Sequence, residues 1–254
     1  MRIMEKDHRV VILDISKRFG VKEMLSDKSN DNRFLVSFLY YFGILTIAGE
    51  TSDGKLALKV PNLVMQGLYV ERIQRMLLPE PQERDEGRWA AEKVYEKGDI
   101  EPLCKFMEER YFKVFANRDY RWANELTVKT AFLSLLYNDI IFIMDSEKEL
   151  ERKYADLSMI IRPDKRHLTV FDVLIEFKFV SLKDLGMSAQ KIKKMSKDEL
   201  LRFPLVQKKL KEAESQVNKY GDSLEARHGN LKLKKFVIVA LGFERLAYSS
   251  LNRT

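Results

Sequence analysis

The segment that most limits the fold is LTVFDVLIEFKFV, residues 168–180. Its density of Val, Ile, Leu and Phe is that of a strand covered by helices. Two charges interrupt it near its end, Glu176 and Lys178. Side chains two apart in a strand share a face, so this pair points one way while Ile175 and Phe177 point the other. Charges inside such a strand are costly unless they are paired or useful. Taken alone, the pair reads most simply as a structural ion bridge.

The preceding strand pattern changes that. KYADLSMIIR (153–162) and the segment above flank PDKRH, a turn sequence, which predicts an antiparallel hairpin. Counting outward from the turn, Asp156 lands beside Ile175 and Glu176. Two neighbouring carboxylates repel unless a cation sits between them. Magnesium favours one or two carboxylates, completed by water and substrate phosphate oxygens. Lys178 next to them is suited to orient or deprotonate an attacking water and to offset charge on a phosphate, the requirements of metal-assisted phosphodiester hydrolysis. A second aspartate, in Pro163-Asp164, belongs to the turn and is expected to be remote from the pair.

The surrounding patterns define an α/β fold. NELTVKTAFLSLLYN (124–138) predicts a helix capped by Asn124, followed by strands IIFIMD, KYADLSMIIR and LTVFDVLIEFKFV. A basic loop containing Lys183, Lys191, Lys193, Lys194 and Lys197 leads into a helix from roughly Lys197 to Arg227, then the strand KKFVIVALGF. The order helix, three strands, helix, strand predicts residues 121–254 as a mixed sheet flanked by helices. Upstream, VVILDI, helical patterns at 20–28 and 31–42, a hairpin at 44–60 and a helix to 78 predict a mostly helical, winged-helix-like domain over 1–78. PEPQERDEG breaks the chain, and two amphipathic helices around Gly98 fill a helical linker over 79–120. Gly49-Glu50-Thr51-Ser52-Asp53-Gly54-Lys55 imitates a phosphate-binding loop, but Leu56 stands where Ser or Thr is needed and a strand pattern follows, so a hairpin turn is expected and ATP binding is not.

Composition narrows the class. No apolar run reaches membrane-span length, and MRIMEKDHRV lacks the apolar stretch of a secretory signal. The single cysteine, Cys104, excludes an internal disulfide, fits a cytoplasmic setting and is expected to be a packed helix residue. The net charge of +7 favours an anionic partner such as nucleic acid. His8, His167 and His228 lack metal-ligand spacing, and Trp89 and Trp122 are expected in the core or an interface.

Together Asp156, Glu176-Phe177-Lys178 and the order of elements resemble the PD-(D/E)xK nuclease superfamily, with Ala155 where that motif has proline. The resemblance implies a Mg²⁺ or Mn²⁺ ion held by Asp156, Glu176 and the Phe177 carbonyl, with Lys178 placing the water. It adds Glu125 on the preceding helix, and Gln216 and Tyr220 of Gln216-Val217-Asn218-Lys219-Tyr220 on the following one, as supporting residues. The closer likeness is to bacterial and archaeal fusions of an AAA-type ATPase with a C-terminal nuclease domain. It implies nucleic acid, DNA before RNA, as the substrate, with a homodimer and a separate ATPase as further partners. The chain has no ATPase motif and is read as the nuclease end of such a fusion. The alternative is an idle nucleic-acid-binding or assembly module on the same fold. The intact Asp156, Glu176, Lys178 and Gln216 favour the enzyme.

Overall fold

A computed structural model of the chain describes residues 10–15, 32–41, 44–59, 63–113, 125–145, 156–229 and 231–251. The chain divides into two compact units, residues 1–69 and 70–254. Expectations for 20–28, Asn124, Trp122, His8 and Ala155 lie outside the described residues. Among the described residues no helix is long and apolar enough to cross a membrane.

In the first unit, β1 (Val10–Ile12), α1 (Asn32–Tyr41), β2 (Thr46–Glu50) and β3 (Leu56–Lys59) are followed by α2 (Leu63–Leu77), which contains the division between the units. The strands form an antiparallel sheet in the order β1-β3-β2 around Val10, Ile12, Val36, Leu45 and Leu58. The phosphate-loop look-alike is a hairpin turn. Thr51 N–H donates to the Lys55 carbonyl at 2.8 Å, Lys55 pairs with Asp53 at 2.6 Å, and Gly54 takes a left-handed φ of 77°. Lys55 leads into β3 rather than a helix.

The second unit is a mixed five-stranded sheet flanked by helices. Its elements are α3 (Pro81–Lys97), α4 (Glu101–Phe106), α5 (Glu125–Leu136), β4 (Phe142–Asp145), β5 (Leu157–Ile161), β6 (Asp172–Val180), α6 (Leu182–Leu185), α7 (Ala189–Lys194), α8 (Lys197–Leu201), α9 (Pro204–His228), β7 (Leu233–Leu241) and β8 (Arg245–Leu251). The strand order is β4-β5-β6-β7-β8; only β6 and β7 run parallel. A parallel pair needs a crossover, which α6–α9 supply. Alternation along β6 sends Ile175 and Phe177 into a core with residues of α3, α4 and α5, and Leu174 and Val180 into a second core with residues of α9.

Several expectations need correction. A fifth strand, β8, follows the turn at Gly242 (φ 58°). The basic loop is three short helices, each opened by a serine cap: Ser181, Ser188 and Ser196. Gly186, within the segment expected to be a basic loop, is the left-handed C-cap of α6. The long helix is split before Pro204, which has no N–H to continue α8 and instead starts α9. Helices α3 and α4, assigned to a linker, bury Ala90, Ala91, Val94, Leu103 and Cys104 in the same core as Phe132 and Phe177. α4 continues into a π-helical turn, Met107–Tyr111, that places the Glu108 carboxylate on the Leu246 N–H at 2.6 Å. Trp89 is exposed, with the Lys93 ammonium over its ring.

The sheet is tied at one end by Asp172, which is fully buried. Its carboxylate accepts from Ile161 N–H at 2.8 Å, Lys232 N–H at 2.9 Å and Arg166 Nη1 at 2.7 Å. Removing it strands three donors around a buried site. Asp172→Ala is expected to lower unfolding free energy by about 3–5 kcal/mol in denaturant titrations, while the exposed Asp164→Ala leaves it nearly unchanged.

Candidate active site

The β5–β6 register pairs Leu157 with Ile175 and Ser158 with Leu174, so its extension by one residue sets Asp156 against Glu176. Asp156 stands immediately before β5 rather than within it. Its Oδ2 accepts the Phe177 N–H at 2.7 Å, which holds the carboxylate against β6. Glu176 is 3% exposed, and its Oε1 accepts from Lys178 Nζ at 2.7 Å. Lys178 Nζ also donates to the Phe177 carbonyl at 3.0 Å. The Glu176 Oε2 atom is buried and has no hydrogen-bond partner among the described residues.

Charges from two helices complete the cluster. On α5, Glu125 and Lys129 are one turn apart, a spacing that puts both on one face. Lys129 Nζ lies 3.6 Å from Asp156 Oδ1, and its side chain is 7% exposed. On α9, Lys209 and Glu212 bond to each other at 2.7 Å, and their charges reach Glu125 and Lys178 respectively.

The electrostatics follow from this crowding. Burial, then the Asp156 charge, raise the Glu176 carboxyl to about 7, against the opposing pull of Lys178. Glu125 is raised by burial and by Asp156, against Lys178, Lys129 and Lys209. For Lys178 burial pulls downward, but its bond to Glu176 and the Glu176, Asp156 and Glu125 charges outweigh it, and the net shift is upward.

Asp156, Glu176, Lys178, the Phe177 carbonyl and Glu125 are therefore brought together. Gln216 is exposed on α9, on the stripe that carries Lys209 and Glu212, and makes no hydrogen bond to the cluster among the described residues. Tyr220 is buried in the core beneath α9. Asp164 sits exposed on the connection between β5 and β6, bonded to Arg162 at 3.2 Å. His167 and His228 are exposed. Lys129 was not anticipated; a lysine one turn after Glu125 in an otherwise apolar TVKTAFLSLL was the available signal.

Among the described residues no group of three or more His, Cys, Asp or Glu is gathered to hold a metal unaided. Two carboxylates and a carbonyl suit magnesium or manganese completed by water and phosphate, not a zinc cage. Glu176 Oε2, buried and without a hydrogen-bond partner among the described residues, is the atom that fits such an ion best. Lys178 now bonds Glu176 Oε1 and the Phe177 carbonyl, two of the three groups expected to bind it.

Compared with known protein-family models and with curated proteins, the chain matches none. The site therefore stands on its own geometry.

The Glu176 shift has a sign that can be checked. Its carboxyl in the folded protein titrates near 7, above the ordinary 4.5, so the folded state binds a proton that the unfolded chain has lost between those values. That contribution to stability is fully present below about 4.5 and is lost as pH rises through about 7. In chelator, Glu176→Gln is expected to flatten the decline of melting temperature with pH across this window. An unchanged slope contradicts the assignment.

Proposed function

We propose that the chain is a divalent-cation-dependent nuclease of the PD-(D/E)xK type, acting on DNA before RNA. The observation that carries this is the meeting of Asp156, just before β5, with Glu176 on β6, with Lys178 bonded to Glu176 and one Glu176 oxygen without a hydrogen-bond partner among the described residues. The sequence α5, β4, β5, β6, α9, β7 supports it, being the helix, three strands, helix, strand order that the superfamily resemblance implies. The first unit, in which β1 joins the β2–β3 hairpin beside helices, supports a winged-helix-like role in nucleic-acid binding.

Asp156, Glu176 and the Phe177 carbonyl would hold the ion, which when bound supplies charge neutralisation at a phosphodiester and activation of water. Lys178 orients that water and offsets negative charge as the bond from water oxygen to phosphorus forms and an ester P–O bond breaks. Glu125 and Lys129 fix the field around Asp156. The exposed Lys183, Lys191 and Lys194, following β6, suit contacts to the phosphate backbone. Lys193 and Lys197 already have structural partners, Glu244 at 2.8 Å and the Tyr248 ring.

The test is incubation with plasmid, linear and single-stranded DNA and RNA, with Mg²⁺ or Mn²⁺. The parent is expected to cut. Asp156→Asn, which keeps an acceptor for the Phe177 N–H, Glu176→Gln and Lys178→Ala are expected to lose about a thousandfold in rate, with DNA binding in gel shifts largely retained. Asp164→Ala is expected to cut like the parent. Cleavage unaffected by all three site substitutions, or binding without cleavage of any substrate, excludes the proposal; the latter is the behaviour of an idle binding module.

A further inference from the structure

The two oxygens of Asp156 have different surroundings. Oδ2 is held by the Phe177 N–H at 2.7 Å, and Oδ1 faces the buried Lys129 ammonium at 3.6 Å. Glu176 Oε2 is buried with no hydrogen-bond partner among the described residues. Unfilled acceptor capacity thus lies with Glu176, while the side shared by Asp156 and Glu125 already contains a positive charge. We propose that Lys129 is a fixed internal cation beside Asp156 Oδ1, and that it limits the site to one divalent ion where a bare carboxylate set would accept two. This rests on Asp156 and Glu176 forming a cation site, as in the proposed function.

Charge counting over the described residues supports it. Glu125, Asp156, Glu176 and Glu212 carry four negative charges when ionised, and Lys129, Lys178 and Lys209 three positive ones, leaving a formal −1. One divalent ion brings this to +1, the complement of a single phosphodiester. Two would bring it to +3. At equal separation, an ammonium repels a divalent ion half as strongly as a second divalent ion does. Lys129 is also held in place: its side chain is 7% exposed, and its helix neighbours Val128, Ala131 and Phe132 are in the core. An ammonium built into α5 cannot dissociate as a weakly bound second ion can.

Calorimetric titration of the metal-free full chain with Mn²⁺ tests this without relying on cleavage. The parent is expected to bind one equivalent, and Asp156→Asn to lose it. Lys129→Gln is expected to bind a second equivalent, because a positive charge beside the ligand is gone. Lys129→Arg, which keeps the charge, is expected to stay at one equivalent with affinity close to the parent's. Two equivalents on the parent, no bound ion, or a folded Lys129→Gln that still binds one equivalent overturns the proposal. If Lys129→Gln does not fold, the parent's stoichiometry decides alone. One ion lost in Asp156→Asn with no cleavage of any nucleic acid would leave this inference standing and remove the nuclease function. Two ions with cleavage would do the reverse.

Discussion

The candidate site depends on the bond from the Phe177 N–H to the Asp156 carboxylate. It ties the residue just before β5 to the middle of β6 and turns Asp156 toward the face that carries Glu176 and Lys178. A carboxylate placed there makes Glu176 harder to ionise. The result is an acidic pair, Glu176 buried and Asp156 partly so, that cations stabilise, and lysines supply them: Lys178 at Glu176 and Lys129 at Asp156.

The rest of the second unit serves to hold this arrangement. The apolar side chains of β6 divide between two cores, so the strand cannot slip by one residue without exchanging Leu174 and Val180 for Ile175 and Phe177. Asp172 fixes the start of β6 to the end of β5 and the approach to β7. Helix α5 carries Glu125 and Lys129 to one side, and α9 carries Lys209 and Glu212 to the other. The polar cluster is therefore bounded by rigid elements, as a site that must position a phosphate requires.

Much of this was legible in the sequence because period-two alternation and a short turn fix a hairpin register. Counting back from PDKRH puts Asp156 near Ile175 and Glu176, and the observed register, Leu157 opposite Ile175, sets it against Glu176. The GETSDGK turn was legible for a similar reason, its Asp53-Gly54 pair and the strand pattern after it. Less legible was β8, whose RLAYSSL is half polar and short, and whose identity comes from pairing with β7. The serine-capped helices α6–α8 look like a charged loop because each is too short to display a helical period. Lys129 was less legible: the mostly apolar residues around it hint at burial, but its meaning comes from Asp156, 27 positions away in the chain. Gln216 and Tyr220 are one turn apart on paper, but in α9 Gln216 is exposed and Tyr220 is buried.

The central claim is that Asp156 and Glu176 form one cation site, now bridged on the Glu176 side by Lys178. The most direct measurement is a crystal structure grown with Mn²⁺ and phased on the metal's anomalous signal. The account predicts an anomalous peak bound by Asp156, Glu176 and the Phe177 carbonyl, with the Lys178 ammonium moved off Glu176 Oε1 and the Phe177 oxygen. Saturating Mn²⁺ with no peak there, and Lys178 still bonded to both atoms, would contradict it.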